Sequence, residues 1–426
     1  GDPAGAERGA RRMIALDGGR LSASQRLLAR ALSAQGRAAE AAAAARAEVD
    51  ARAWDNHPFV PAATSTVQRV LRARGAELGL RVVDLPAVFA EHDPALPGRR
   101  HFLDYCHLTP EGMDVSMAAV AAQVLAAAGG PQPGSWREVL EHAGAVPVAP
   151  DLDGRARFMA ALYTRHWIAT DETVPAFRHW MEAALDAAPG AAEAMLGYAA
   201  TRAAPPAALL FSREHQQMFG GGGRSERHIW SAPHLDPEAL RAIAAALESR
   251  GRAAGPAIED ALVRHHAVRE RPLDLLASVY HWGLADQPRP NNSLRNNPPA
   301  FYAARTPRSH FCLVAEGPGP LRLEMTARLP VVAQPRAGEL RVLVDGRPVG
   351  RLPLTGEWQG HSLAVPAEAL RRGINRLTLE WPPLPAEGDA ALERIGRRLD
   401  QRVGVDLHPA FGQLMALRAR RGGRPA

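Results

Sequence analysis

The sequence predicts an α/β domain carrying a helical hairpin, then an all-α region, then a small antiparallel β-sandwich. Three observations predict this. Between residues 64 and 85 an amphipathic helix pattern, a glycine and a β-branched run follow one another, the order of an α/β unit feeding a parallel sheet. Residues 131 to 287 are Ala- and Leu-rich at helical spacing, with breaks at proline and glycine. After residue 308 apolar and polar residues alternate, the period of a strand.

Each element follows from its own residues. Residues 22–51, SASQRLLARALSAQGRAAEAAAAARAEVDA, read as two helices broken at Gln35-Gly36-Arg37. The pattern resembles one tetratricopeptide repeat, with no second copy at that period, so a single hairpin over about 20–52 is expected and not a solenoid. Pro58 and Pro61 hold an extended loop after it. A helix is predicted from Thr64 to Glu77, stopped by Gly79, with a short strand at Leu80-Arg81-Val82-Val83-Asp84-Leu85. Pro97-Gly98 makes a turn. Thr109 as N-cap and Pro110 at the first helical position open a helix to about Ala128, with Met113, Met117, Val120 and Val124 on one face. Gly129-Gly130-Pro131 ends it.

The remaining divisions are a helical region over 131–287, a Pro/Asn-rich linker over 288–307, a sandwich over 308–382 and a charged helical tail over 383–426. The helical region breaks at Pro147–Pro150, Pro205-Pro206 and Gly220–Gly223. Asp345-Gly346 is a hairpin turn. The sandwich is expected to fold by itself.

Composition excludes several classes. The net charge is +6, yet all 51 basic residues are Arg and they interleave with 45 acidic ones. No block of like charge forms a basic arm, so no nucleic-acid partner is expected. The absence of Lys removes Schiff-base, P-loop and Ser-Lys chemistry. Cys106 and Cys312 are the two cysteines, too few and too far apart for a disulfide framework, which fits a reducing compartment such as the cytoplasm. No apolar run reaches the length of a membrane span and no signal peptide is visible.

The chemistry concentrates in FLDYCHLTPEGMDVSMAAVAAQVL, residues 102–125. In a Ser-His-Asp triad the imidazole takes the serine proton, and the carboxylate fixes its tautomer and stabilises the imidazolium. Asp104 and His107, three apart on one loop, can form that pair without another element. By itself the spacing is common and serves equally as a loop-to-helix hydrogen-bonding pair. Cys106 reads as a small buried thiol and not as a nucleophile.

The block resembles the terminal block of the SGNH (GDSL-type) hydrolases, in which an Asp-x-x-His loop precedes the closing helix. VVDLPAVFAEH resembles the segment before it. Members with a tetratricopeptide hairpin show a similar order, here carried by Trp54, Asp55, Pro58, Phe59, Val82, Val83, Asp84, Asp104 and His107. The resemblance spans about residues 10–128. It implies the closing part of an SGNH-like three-layer α/β domain within residues 1–130, with the hairpin as an insert. It implies His107 as general base and Asp104 as its orienter. It also implies an ester-bearing small molecule, lipid or glycan as substrate, with no cofactor and no metal. The helical regions offer a surface to a protein partner. The chain begins with Gly1 and contains no Gly-Asp-Ser; LDGGRLS near the start lacks that order and a preceding core strand. The nucleophile block is therefore expected upstream of Gly1. The alternative is a non-catalytic scaffold with a degenerate SGNH domain and a ligand- or sugar-binding sandwich.

Other motifs point elsewhere. Gly220–Gly223 has neither a strand before it nor a Lys after it, so a loop is expected and not a phosphate cradle. His265, His266 and His281 lack metal-ligand spacing and read as helix-surface residues. Trp358 and Trp381 fill a sandwich core or, on the sugar-binding alternative, stack on a sugar ring.

Overall fold

The structure is a computed structural model. It describes residues 2–52, 63–93, 97–104, 106–129, 134–145, 147–167, 173–203, 235–282, 289–290, 301–304, 306–330, 337–384 and 410–422. The chain divides into two compact units, 1–147 with 386–407 and 148–385 with 408–426. The Trp54, Asp55, Pro58 and Phe59 motif and Gly220–Gly223 lie outside the described residues. No helix among the described residues is long and apolar enough to cross a membrane.

Every helix or strand element among the first unit's described residues is a helix. Helix α1 (Pro3–Asp17) begins where Asp2 accepts from the Gly5 amide at 2.9 Å. It ends at Gly18 and Gly19, both at positive φ. The Asp17 carboxylate accepts from the Gly19 amide at 2.6 Å and the Ser24 hydroxyl at 2.8 Å. LDGGRLS is thus a helix stop joined to the next helix start. Helices α2 (Ser22–Ala34) and α3 (Ala38–Ala51) form the hairpin, reversing at Gly36, whose φ of 75° suits glycine. Ala10, Leu28, Leu32, Ala41 and Ala44 make its core, where the small alanines let the helices approach closely.

Helix α4 (Ser65–Glu77) is capped by Thr64. The predicted strand after it is corrected: residues 80–84 form no strand, with Leu80 62% and Val82 41% exposed. A strand exists only through its ladder, and the described residues of this unit offer it no partner. Asp84 instead caps α5 (Leu85–His92), accepting from the Ala87 amide and pairing with Arg72. The three-layer layout is therefore absent from the described part of this unit. Helix α6 (Pro110–Ala127) begins at Thr109 as predicted, and α7 (Trp136–Ala143) follows. The Met113, Met117, Val120 and Val124 face of α6 is not the face it buries. Gly112, Val115, Ser116, Ala118 and Ala119 are buried, while Met113, Met117 and Val124 are exposed.

The second unit joins helices to the sandwich. Its helices are α8 (Pro150–Trp167), α9 (Thr173–Ala187), α10 (Ala191–Ala203), α11 (Pro237–Glu248) and α12 (Gly255–His266). Phe158, Leu162, Phe177, Met181, Met195, Tyr198, Ile243 and Leu247 are fully buried among them. The strands are β1 (Leu273–Asp274), β2 (Arg289–Pro290), β3 (Tyr302–Ala304), β4 (Arg308–Ala315), β5 (Leu321–Arg328), β6 (Gly338–Val344), β7 (Arg347–Leu354), β8 (Gln359–Val365), β9 (Gly373–Glu380) and β10 (Gly412–Arg421). One sheet runs β2-β3-β10-β5-β8 with β1 also on β10; the other runs β4-β9-β6-β7. All pairs are antiparallel. Asp345 and Gly346, at φ 46° and 82°, turn β6 into β7 as expected.

Three boundaries change. Residues 412–421 of the expected helical tail are strand β10, paired with β5 from Gln413 to Arg421 and with Leu414, Leu417 and Ala419 buried. Their Leu, Met, Ala and Arg favour a helix, but burial between β3 and β5 overrides that propensity. Residues 289–290 and 302–304 of the expected linker are strands. The expected helical region is divided: its residues up to 147 belong to the first unit, and those from 148 share the second unit with the sandwich, joined by the Val268 amide on the Val314 carbonyl at 2.9 Å and the Trp282 amide on the His310 carbonyl at 3.1 Å. A fragment covering only 308–382 lacks β10, which lies between β3 and β5 in its sheet.

His310 on β4 gives this unit a pH dependence. Its Nδ1 lies 2.9 Å from Thr378 Oγ1. Burial, with Arg376 and Arg308 adding repulsion, lowers its pKa from 6.5 to about 4. Between these values the unfolded chain binds a proton that the folded chain refuses. Stability from this group is full above pH 6.5 and falls as pH drops toward 4. His310→Gln should flatten urea-derived stability across that window. An unchanged slope would remove His310 as its source.

Candidate active site

The site is the loop between α5 and α6. A bridge pairs Phe102 with Leu108, and the Leu103 amide donates to the His107 carbonyl at 2.8 Å. The Thr109 amide donates to the His101 carbonyl at 3.0 Å, and its hydroxyl donates to the Arg100 carbonyl at 2.6 Å. The same hydroxyl accepts from the Gly112 amide at 3.1 Å, so one residue closes the loop and caps α6.

Asp104 sits inside this loop. Its Oδ1 accepts from the amides of Cys106 at 2.9 Å and His107 at 2.8 Å. Its Oδ2 lies 2.7 Å from His107 Nδ1. The Asp104 side chain is 4% exposed and that of His107 is 66% exposed. A carboxylate only accepts, so Nδ1 carries the proton and the lone pair of the neutral ring lies on Nε2. That is the tautomer a general base needs.

Cys106 is corrected from the buried thiol expected: it is exposed, at the loop tip. Its Sγ stands 3.6 Å from His107 Nδ1. Nδ1 is directed to Asp104 at a much shorter distance, so the ring is not placed to deprotonate the thiol through Nε2.

The base of the loop is closely packed. A Cβ on Gly112 would lie 2.2 Å from the His101 carbonyl oxygen. Gly112→Ala should therefore push α6 off the loop at a cost of about 1–3 kcal/mol. The Thr109 amide, bonded to His101, should then lose hydrogen-exchange protection. Unchanged protection would show that the contact does not hold the loop.

His101 is fully buried beside Phe89, with ring centroids 5.2 Å apart. Burial lowers its pKa and keeps the ring neutral at pH 7. Glu111, in the first turn of α6, is held ionised first by Arg100. The sequence did not single out His101, Glu111 or Gly112. The spacing from His92 to His101 to Glu111 matches no compact ligand motif, and only the fold brings them together.

The other candidates are dispersed. His265 is exposed, whereas His266 and His281 are buried and not on the helix surface. His266 Nδ1 is 3.5 Å from the Tyr280 hydroxyl, and His281 Nε2 is 3.1 Å from the Leu276 carbonyl. Trp381 is buried and donates to Ser309 Oγ at 3.0 Å. Trp358 is half-buried, with the Arg328 guanidinium 4.4 Å over its ring. That cation occupies a face a sugar would use. No family model, curated protein or solved structure matches the chain.

Proposed function

We propose that this chain carries the base-and-orienter half of an SGNH-type ester hydrolase or acyl-transfer protein, with His107 as general base and Asp104 as its orienter. The observation that carries the reading is the 2.7 Å contact between a buried carboxylate and the Nδ1 of an exposed imidazole. His107 Nε2 takes the proton of an attacking serine and returns it to the departing alcohol. Asp104 holds the ring and stabilises the imidazolium. The nucleophile comes from a Gly-Asp-Ser block, which residues 1–426 do not contain, and the oxyanion donors, the serine amide with a Gly and an Asn, come from early blocks of the same fold. The substrate is an O-acyl ester on a sugar, lipid or small metabolite.

The bare apolar surface of the first unit supports this reading. Val67, Val70, Leu71, Leu78, Leu80, Met113, Met117 and Val124 are all more than 40% exposed. Where such side chains adjoin one another they form the kind of apolar patch that packs against something. On this reading they seat the sheet that bears the nucleophile.

The test is the reading frame upstream of Gly1, followed by assay of the longer protein on p-nitrophenyl acyl esters. A strand leading into Gly-Asp-Ser, with turnover that collapses in His107→Ala, supports the proposal. A longer protein without such a block, or with turnover indifferent to His107→Ala, overturns it.

A further inference from the structure

We propose that His92, His101 and Glu111 form a binding site for a divalent metal of the zinc class, at the base of the loop that carries Asp104 and His107. One donor atom from each residue lies within 4.8 Å of the others. His92 Nε2 and Glu111 Oε1 are 3.5 Å apart. Ligands at Zn–N and Zn–O distances of about 2.0–2.1 Å stand roughly 3.3 Å apart on a tetrahedron, so this pair already spans one edge.

His101 supplies the independent observation. It is 0% exposed, and neither ring nitrogen has a hydrogen-bond partner among the described residues. Leaving a buried polar atom unsatisfied costs about 1–3 kcal/mol, and native structures retain few of them. A metal ion on one nitrogen converts that cost into a bond. Two imidazoles and one carboxylate are a zinc donor set with a fourth position open to water. The nitrogen donors disfavour magnesium and calcium, which take oxygen ligands.

The surroundings are those of a supported site. Arg100 Nη2 lies 2.6 Å from Glu111 Oε1, the oxygen that also faces His92, and holds that carboxylate in place. The rings of Phe89 and Trp136 wall it, with Trp136 5.8 Å from His92. His92 ends α5, His101 enters the loop and Glu111 opens α6. One ion would staple all three segments and fix both ends of the loop. The nearby set of Asp104, Cys106 and His107 is a weaker candidate, because it holds no buried unsatisfied nitrogen like those of His101, and Asp104 Oδ2 and His107 Nδ1 lie at hydrogen-bond distance, 2.7 Å. The inference is independent of the acyl-transfer reading.

The test uses the whole chain without a histidine tag, stripped with EDTA. It is titrated with zinc chloride by calorimetry and with cobalt chloride by visible absorption. One equivalent should bind, cobalt should show the intense bands of a four-coordinate ion, and zinc should raise the melting temperature. His92→Gln and Glu111→Gln sit at partly exposed positions and should keep the helical circular dichroism. Each should weaken zinc about tenfold or more and shrink the melting shift. Cys106→Ser should bind as the parent does. Failure of the folded chain to bind zinc overturns the site. So does binding that survives His92→Gln and Glu111→Gln, or binding lost in Cys106→Ser.

Discussion

His107→Ala should reduce ester turnover by about six orders of magnitude in a protein that joins this chain to its nucleophile block, and Asp104→Asn by about four. The two losses differ for a reason visible in the loop. Alanine removes the group proposed to take the serine proton. Asparagine keeps the shape of Asp104, and its carbonyl can still accept from the amides of Cys106 and His107, now 2.9 and 2.8 Å from Oδ1. Its amide then donates toward His107 Nδ1, where the carboxylate accepted at 2.7 Å. That forces the ring proton onto Nε2 and removes the lone pair the reaction needs. Circular dichroism of Asp104→Asn should match the parent, separating tautomer from fold. Residues 1–426 alone should turn over no p-nitrophenyl ester above background, since on the proposed reading the nucleophile and oxyanion donors lie outside them. Turnover by the chain alone that vanishes in His107→Ala would place the nucleophile within it. An Asp104→Asn protein as fast as the parent would remove Asp104 from the chemistry.

Arg165→Met should be the most damaging single change in the second unit. Arg165 Nη2 and Nε reach Asp236 at 2.9 and 3.1 Å, and the side chains are 11% and 1% exposed. Asp236 also caps α11, accepting from the Ala239 amide at 3.2 Å, with its backbone at φ 46°. Methionine matches the length of the arginine stem but leaves the buried carboxylate without its bidentate guanidinium. Breaking one side of such a pair costs about 3–5 kcal/mol. For a unit of this size that lowers the melting temperature by roughly 10 °C. Adding Asp236→Asn should recover much of the loss. It removes the charge, keeps an oxygen for the Ala239 amide, and keeps a residue type that tolerates the left-handed backbone. Urea denaturation of both variants measures this. A single variant within about 1 kcal/mol of the parent would mean that the pair is as replaceable as a surface one.

Features written into neighbouring residues were legible in the sequence. The hairpin reversal at Gly36, the Thr109-Pro110 helix start and the Asp345-Gly346 turn depend on backbone torsions and caps a few residues long. The Asp104–His107 contact belongs to the same class, because a loop three residues long suffices to bring the two side chains together.

What pairs with what was decided only by tertiary structure. Residues 412–421 have helical composition, yet they are a central strand because β3 and β5 present free edges and bury Leu414 and Leu417. Residues 80–84 have strand composition, yet no described edge receives them and Asp84 becomes a helix cap. Helix α6 carries an apolar stripe and a small-residue stripe, and packing buried the second. His92, His101 and Glu111 converge because α5 and α6 meet across the loop, a proximity that no periodicity encodes. Local torsions and caps cost little chain entropy and are settled by nearby residues. Strand pairing, buried faces and distant side-chain clusters are settled by the summed burial of the whole unit.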